Sequence, residues 1–110
     1  MVPLPPERSG KYDKTLPYNV VGSDYYAIFS INPSLPDTFS CQFVVNGVAG
    51  PIANYSNEKF DNNRIWESGS VYIVVTKYSD ENIIRYAVYG DITINTLDVY
   101  IDGVKMNLTQ

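Results

Sequence analysis

The sequence predicts an all-β fold, an antiparallel β-sandwich, with a small β-barrel as the alternative. Short apolar segments alternate with turn residues along the whole chain. Ten tyrosines accompany many Val, Ile and Thr residues, which favour pleated sheet. No segment keeps a helical hydrophobic period for three turns. Together these features indicate seven to nine short strands, which both architectures use to build a core from alternating side chains.

The chain has 110 residues, enough for one hydrophobic core but not for two. Four of its seven prolines lie within the first 17 residues, and Pro3, Pro5 and Pro6 give the start polyproline character. We therefore expect an extended N-terminal arm over residues 1–20 and a single β domain over residues 21–110.

Apolar alternation and turn residues predict the strands in chain order. A short edge strand is expected within residues 15–21, because Pro17 is tolerated at an edge. Asn46-Gly47 suits a tight turn that needs φ > 0. A short helical turn near residues 56–60 is the most helix that we expect. The other predicted strands are residues 25–31, 39–45, 48–53 (weakened by Gly50 and Pro51), 64–67, 71–77, 83–89 and 92–95.

Residues 71–77 are apolar at both odd and even positions. A strand of this kind is typical of a sheet centre that is covered on both faces. We therefore expect a central strand here, with a matching partner at residues 83–89.

Residues 97–108 predict a closing β-hairpin around Asp102-Gly103, a pair that suits a turn with two positive φ angles. Folding about this turn places all the apolar side chains on one face, which specifies the register. Tyr100 then lies beside Lys105 on the polar face. The expected apolar pairs are Ile101 with Val104, Val99 with Met106, and Leu97 with Leu108.

The residue types argue against catalysis, cofactors and metal ions. The chain has no histidine and one cysteine, which removes the usual general base, the paired nucleophiles and a closed zinc site. Cys41 lies in an apolar segment and is expected to be a small buried hydrophobic residue. Most of the twelve acids occur at turns, where Asp bonds to the local backbone. We therefore expect no enzymatic activity.

Aromatic side chains are the remaining candidates for a binding surface, because their rings stack on sugars or anchor protein interfaces. For Trp66 a core position is the favoured interpretation, and exposure is the alternative. Tyr26, Tyr72, Tyr86 and Tyr89 alternate within strands and are expected to pack. The candidate binding residues, chosen for their polar neighbours, are Tyr12, Tyr18, Tyr55, Trp66 and Tyr100.

Two segments resemble strand–turn sequences of phage fibre modules: Trp66-Glu-Ser-Gly-Ser-Val-Tyr-Ile-Val and Leu97-Asp-Val-Tyr-Ile-Asp-Gly-Val-Lys. The chain thereby resembles the small all-β accessory proteins of tailed-bacteriophage virions (decoration, fibre, collar and connector proteins). The resemblance implies a structural protein in a homo-oligomer or multi-chain complex, docked through its arm, sheet edges and aromatic patches. The alternative is a carbohydrate-binding or receptor-binding, lectin-like module.

Charge and the N-terminal sequence bear on partners and location. The net charge is −4 and no two basic residues are adjacent, which argues against nucleic acid as a partner. The first eight residues lack the apolar core of a signal peptide. No segment has the length of a membrane span. We therefore expect synthesis in the cytoplasm, protein partners or a glycan, and no membrane contact. The resemblance to phage accessory proteins implies a place in a virion.

Overall fold

The computed structural model describes residues 7–110, which fold entirely into strands, turns and loops. In chain order the strands are β1 (Ser9–Tyr12), β2 (Tyr18–Val20), β3 (Ser23–Asn32), β4 (Phe39–Val45), β5 (Val48–Ala49), β6 (Ala53–Ser56), β7 (Lys59–Phe60), β8 (Arg64–Ser68), β9 (Val71–Thr76), β10 (Ile83–Tyr89), β11 (Ile92–Ile94), β12 (Leu97–Ile101), β13 (Val104–Lys105) and β14 (Asn107–Thr109).

The strands form a β-sandwich, as the sequence predicts. The first sheet has the order β14-β1-β3-β10-β9-β8, and the second has the order β13-β12-β4-β6-β7 with β5 paired to β4. A separate two-stranded ribbon joins β2 to β11. Because the strands divide into separate sheets, the structure is the sandwich and not the alternative barrel. The fourteen strands within residues 7–110 exceed the predicted seven to nine, since several have only two or three residues.

The core lies between the inner faces of the two main sheets. Along β4 the side chains alternate, and Phe39, Cys41, Phe43 and Val45 are all buried. Strand β10 contributes Ile84, Tyr86 and Val88 in the same way from the first sheet. This period of two is the one that the sequence predicts for both strands.

Both predicted tight turns form. Asn46 and Gly47 have φ angles of 50° and 81°, and Asp102 and Gly103 have φ angles of 52° and 78°. In the closing hairpin Ile101 pairs with Val104, and Met106 N–H donates to the Val99 carbonyl at 2.8 Å. The third predicted pair is wrong, because Leu108 lies in β14, which leaves the hairpin and pairs with β1 instead.

The predicted boundary of the N-terminal arm needs correction. Strand β1 lies between β3 and β14 in the first sheet, and β2 pairs with β11. Residues 9–12 and 18–20 therefore belong to the β domain, because both strands bury side chains in its core. The first six residues of the predicted arm lie outside the described residues. The β1–β14 pair is parallel, which is the exception to the predicted antiparallel pairing.

Two local predictions are also wrong. The expected helical turn near residues 56–60 is a tight turn between β6 and β7, with Asn57 and Glu58 at φ angles of 52° and 65°. The expected cover over both faces of residues 71–77 is absent in the described part of the chain. Strand β9 does lie inside the first sheet, but its outward side chains Tyr72 and Val74 are only half-buried.

Within residues 7–110 the fold includes no helix that is long and apolar enough to cross a lipid bilayer.

Candidate binding surface

Four of the five predicted binding residues lie in the core. Tyr12, Tyr18, Tyr55 and Trp66 are buried, and Trp66 is only 3% exposed. The Trp66 indole N–H donates to the Val48 carbonyl at 2.9 Å, which confirms the core interpretation of this residue. The exposure expected for the three tyrosines is wrong, because their side chains belong to the buried core.

The buried tyrosine hydroxyls have partners inside the protein. Tyr12 donates to the Leu97 carbonyl, and the Tyr18 and Tyr86 hydroxyls lie 2.9 Å apart. Burial raises the pKa of Tyr18 to about 12, although the Tyr86 hydrogen bond acts in the opposite direction. Burial also raises the pKa values of Tyr12, Tyr26 and Tyr86. These hydroxyls stabilise the core in their neutral form and are not available to a ligand.

Tyr100 is the one predicted binding residue that is half-exposed. It lies on the outer face of the second sheet, where β12 pairs it with Gln42 on one side and Lys105 on the other. This position is the one that the hairpin register predicts. The other predicted binding residues are not beside it on that face, so they do not form a shared surface.

The structure instead gathers a different set of tyrosines on the outer face of the first sheet. Successive strands there place Ala27, Arg85 and Thr76 in one row and Tyr25, Ala87 and Val74 in the next. A third row holds Ser23, Tyr89 and Tyr72. Several side chains in the middle of this face are small, so the surface there forms a depression.

An open groove of about 400 Å³ runs over this face. We call it the tyrosine groove. Tyr25 and Tyr78 are 72% and 60% exposed, so their rings are free to meet a ligand. Its lining includes Asp13, Tyr25, Val74, Thr76, Tyr78, Arg85, Ala87 and Tyr89.

Contacts among the neighbouring side chains hold one wall of the tyrosine groove. The Tyr72 and Tyr89 rings stack with centroids 4.9 Å apart, and the Arg64 guanidinium lies 4.0 Å from the Tyr72 centroid. A hydrogen bond with the neighbouring Tyr25 hydroxyl raises the pKa of Tyr89. These contacts limit the rotamers of the wall before any ligand arrives, which lowers the entropic cost of binding.

Arg85 is the cation of the tyrosine groove. Its guanidinium pairs with the Glu81 carboxylate at 3.1 Å and lies 5.8 Å from the Tyr78 ring centroid. Because the pair is solvent-exposed, its main effect is to orient the guanidinium and not to stabilise the fold. The groove therefore offers aromatic faces, several hydroxyl donors and one oriented guanidinium.

An apolar strip continues from the groove along β3. Phe29 and Ile31 point outward and are exposed, and β10 places Ile83 opposite Phe29. The sequence carries a signal for this surface, because residues 25–31 are apolar on both faces, like residues 71–77. Such a pattern also fits a covered strand, so the sequence predicts a strand here but not the exposure of its outer face.

A second groove lies beside Lys77, whose side chain is 8% exposed. Its ammonium donates to the Tyr78 carbonyl at 3.1 Å and lies 4.9 Å from the Tyr55 ring centroid. Asp37, Glu58 and Asp80 also line this groove. Burial raises the pKa of Tyr55, and the carboxylates of Glu58 and Asp37 add to this effect. The burial of Lys77 is thus explained within the protein, because a carbonyl and an aromatic ring stabilise its ammonium group.

Neither grouped acids nor the thiol suggests a reactive centre. No cluster of three or more metal-ligating side chains is arranged to hold an ion within residues 7–110. Cys41 is fully buried, and burial raises the pKa of its thiol, so the reactive thiolate is disfavoured. Asp61 accepts from the Asn54 backbone and side-chain amides, which lower the pKa of its carboxyl.

No protein-family model matches the chain, and neither a curated protein nor a solved structure shows significant similarity to it.

Proposed function

We propose that this protein is a non-enzymatic structural component that assembles with further copies of itself through the outer face of its first sheet. The observation that carries the proposal is the tyrosine groove, where Tyr25 and Tyr78 expose most of their rings beside an oriented Arg85. Tyrosine and arginine are the residues that most often anchor protein interfaces, because they bury much surface at a low entropic cost.

The apolar strip supports the same proposal. Phe29 and Ile31 extend the aromatic surface along β3 without a covering element from residues 7–110. Contiguous apolar surface of this kind marks interaction sites, since exposing it to water is unfavourable. The chemistry of the face also suits binding better than catalysis, because Asp13 is the one carboxylate among the lining residues.

Sedimentation of the full chain over a range of concentrations tests the proposal. We expect reversible self-association, weakened at least about tenfold when both Tyr25→Thr and Tyr78→Thr are introduced. The matched control is Ile52→Thr, since Ile52 is 61% exposed but lies in the loop between β5 and β6 of the other sheet. Monomers at every concentration, or equal loss in the control, would overturn the proposal.

The proposed setting is a virion, and its support is the resemblance of the segments at Trp66 and Leu97 to phage fibre modules. Mass spectrometry of purified particles from the source culture tests this part. Peptides of this chain in fixed ratio to the major coat protein would support a virion component. Their absence from particles, with the protein present in the lysate, would refute it.

Carbohydrate is the second candidate ligand, because tyrosine rings flank a groove that also holds Asp13, Thr76 and Arg85. Rings that stack on a sugar and polar groups that bind its hydroxyls are the usual contents of such a site. A glycan array with the full chain and with the Tyr25→Thr, Tyr78→Thr variant tests this candidate. Sugar binding that the variant loses would favour it over self-assembly.

A further inference from the structure

The tyrosine groove has the length and chemistry of a site for a short proline-rich segment. Asp13 follows β1, and Thr76 is the last residue of β9. Strands β3 and β10 lie between β1 and β9 in the sheet. Three inter-strand spacings amount to about 14 Å. Five residues in the polyproline II conformation span about 15 Å, so such a segment fits the groove from end to end.

The groups in the groove complement a polyproline II backbone. Prolines lack N–H groups, so a proline-rich segment presents carbonyl acceptors and apolar rings. The groove presents the opposite set, with hydroxyl donors on Tyr25, Tyr78 and Tyr89 and the guanidinium of Arg85. Aromatic-lined grooves that bind proline-rich segments rely on this combination.

The chain itself contains a segment of this composition. Residues 2–6 read Val-Pro-Leu-Pro-Pro, with three prolines in five residues and no charged side chain. We propose that the Val2-Pro3-Leu4-Pro5-Pro6 segment of one copy binds in the tyrosine groove of a second copy. This inference rests on the self-assembly proposed above.

The geometry of β1 favours a second copy over the same molecule. Ser9 pairs with Asn32 at the far end of β3, whereas the groove begins near Asp13, four residues later. Arg8 is anchored at that far end, because its guanidinium donates to the Pro33 and Ser34 carbonyls at 2.7 Å. To reach the groove of the same molecule, a segment that precedes Arg8 would have to reverse direction and span about 13 Å. That distance uses most of residues 2–6, so too little of this segment remains to fill the groove.

Two copies can exchange this segment reciprocally across a two-fold axis, which gives a closed dimer, or each copy can donate it to the next, which gives a head-to-tail assembly. Head-to-tail contacts produce closed rings when the rotation between copies closes, and open filaments when it does not. The inference therefore predicts a reciprocal dimer or a head-to-tail ring or filament, and not a monomer, at high protein concentration.

The test uses the full chain with Pro3→Ala, Pro5→Ala and Pro6→Ala combined, which removes the fixed φ angles and apolar rings but keeps the length. We expect self-association to weaken at least about tenfold, as in the Tyr25→Thr, Tyr78→Thr variant. A synthetic peptide of residues 1–6 in excess should dissociate the wild-type assembly. A peptide with the three prolines replaced by alanine is the control.

The outcomes separate this inference from the function on which it rests. If the proline variant assembles like wild type while the tyrosine variant does not, the groove binds another surface and the inference is overturned. If the tyrosine variant also assembles like wild type, both proposals are overturned. Dissociation by a glycan and not by the proline-rich peptide would likewise overturn the inference.

Discussion

Gly50 shows how one missing side chain determines the packing between the sheets. A Cβ atom at this position would overlap the Ile65 carbonyl oxygen and lie 3.2 Å from Trp66 Cδ1. Ile65 and Trp66 belong to β8 of the first sheet, whereas Gly50 follows β5 of the second. The Trp66 hydrogen bond to Val48 connects the two sheets at the same place. The two sheets can meet here only because residue 50 has no side chain.

We predict that Gly50→Ala lowers the free energy of unfolding by about 2–3 kcal/mol, because the new methyl group pushes against backbone atoms that cannot move cheaply. Urea unfolding followed by Trp66 fluorescence measures the change. Ala49→Ser is the neighbouring control, and since Ala49 is exposed we expect a change within about 0.5 kcal/mol. Equal stabilities of the two variants would show that β8 shifts freely.

The Asn46 side chain connects the turn between β4 and β5 to β11 and to the loop that precedes β12. Asn46 has a φ angle of 50°, and its side chain amide donates to the Thr93 carbonyl at 2.9 Å. Its Oδ1 accepts from the backbone N–H groups of Asn95 and Thr96 at 2.8 and 3.2 Å. The residue therefore forms a tight turn and also fastens the loop that leads into β12.

Two substitutions separate these roles of Asn46. We expect Asn46→Gly to lower the free energy of unfolding by about 1 kcal/mol, because it loses exposed hydrogen bonds but accepts the positive φ. Asn46→Ala should cost about 1 kcal/mol more, because alanine adds the backbone strain. Thermal or urea unfolding of both variants checks the order. A glycine variant less stable than the alanine variant would contradict this division.

At the scale of the whole molecule, the core depends on tyrosines that must remain protonated. Tyr18, Tyr26 and Tyr86 pack in contact, with ring centroids 4.4 and 5.4 Å apart along the series. Their folded pKa values lie above the unfolded value near 10, with that of Tyr18 raised to about 12. The folded state therefore binds more protons than the unfolded state in alkaline solution.

We predict that stability is fully present below pH 10 and is lost as the pH rises from 10 towards 12. Each buried tyrosine removes up to about 1.4 kcal/mol per pH unit in that range, since unfolding releases its proton. Urea unfolding at several pH values and tyrosinate absorbance both follow the transition. Tyr18→Phe should reduce the slope. Stability independent of pH up to 12 would contradict the prediction.

Local patterns predicted the elements better than their surroundings. The φ angles at Asn46-Gly47 and Asp102-Gly103, and the buried face of β4, follow from turn chemistry and a period of two within a few residues. The polarity of the neighbouring residues in the sequence was a poor predictor of which tyrosine side chains are exposed. It indicated exposure for Tyr12, Tyr18 and Tyr55, which all lie in the buried core. The binding groove was missed because its rows come from strands that are distant in sequence.

The all-β class, the tight turns and the inward alternation of the longer strands can be predicted from the amino-acid sequence alone, because each depends on interactions between near neighbours. The pairing of β1 with β14, and an outer face of the first sheet that residues 7–110 leave uncovered, follow instead from the three-dimensional arrangement of the strands. An apolar side chain favours burial but does not specify its partner. Strand pairing between distant segments chooses which faces meet and which remain for other molecules.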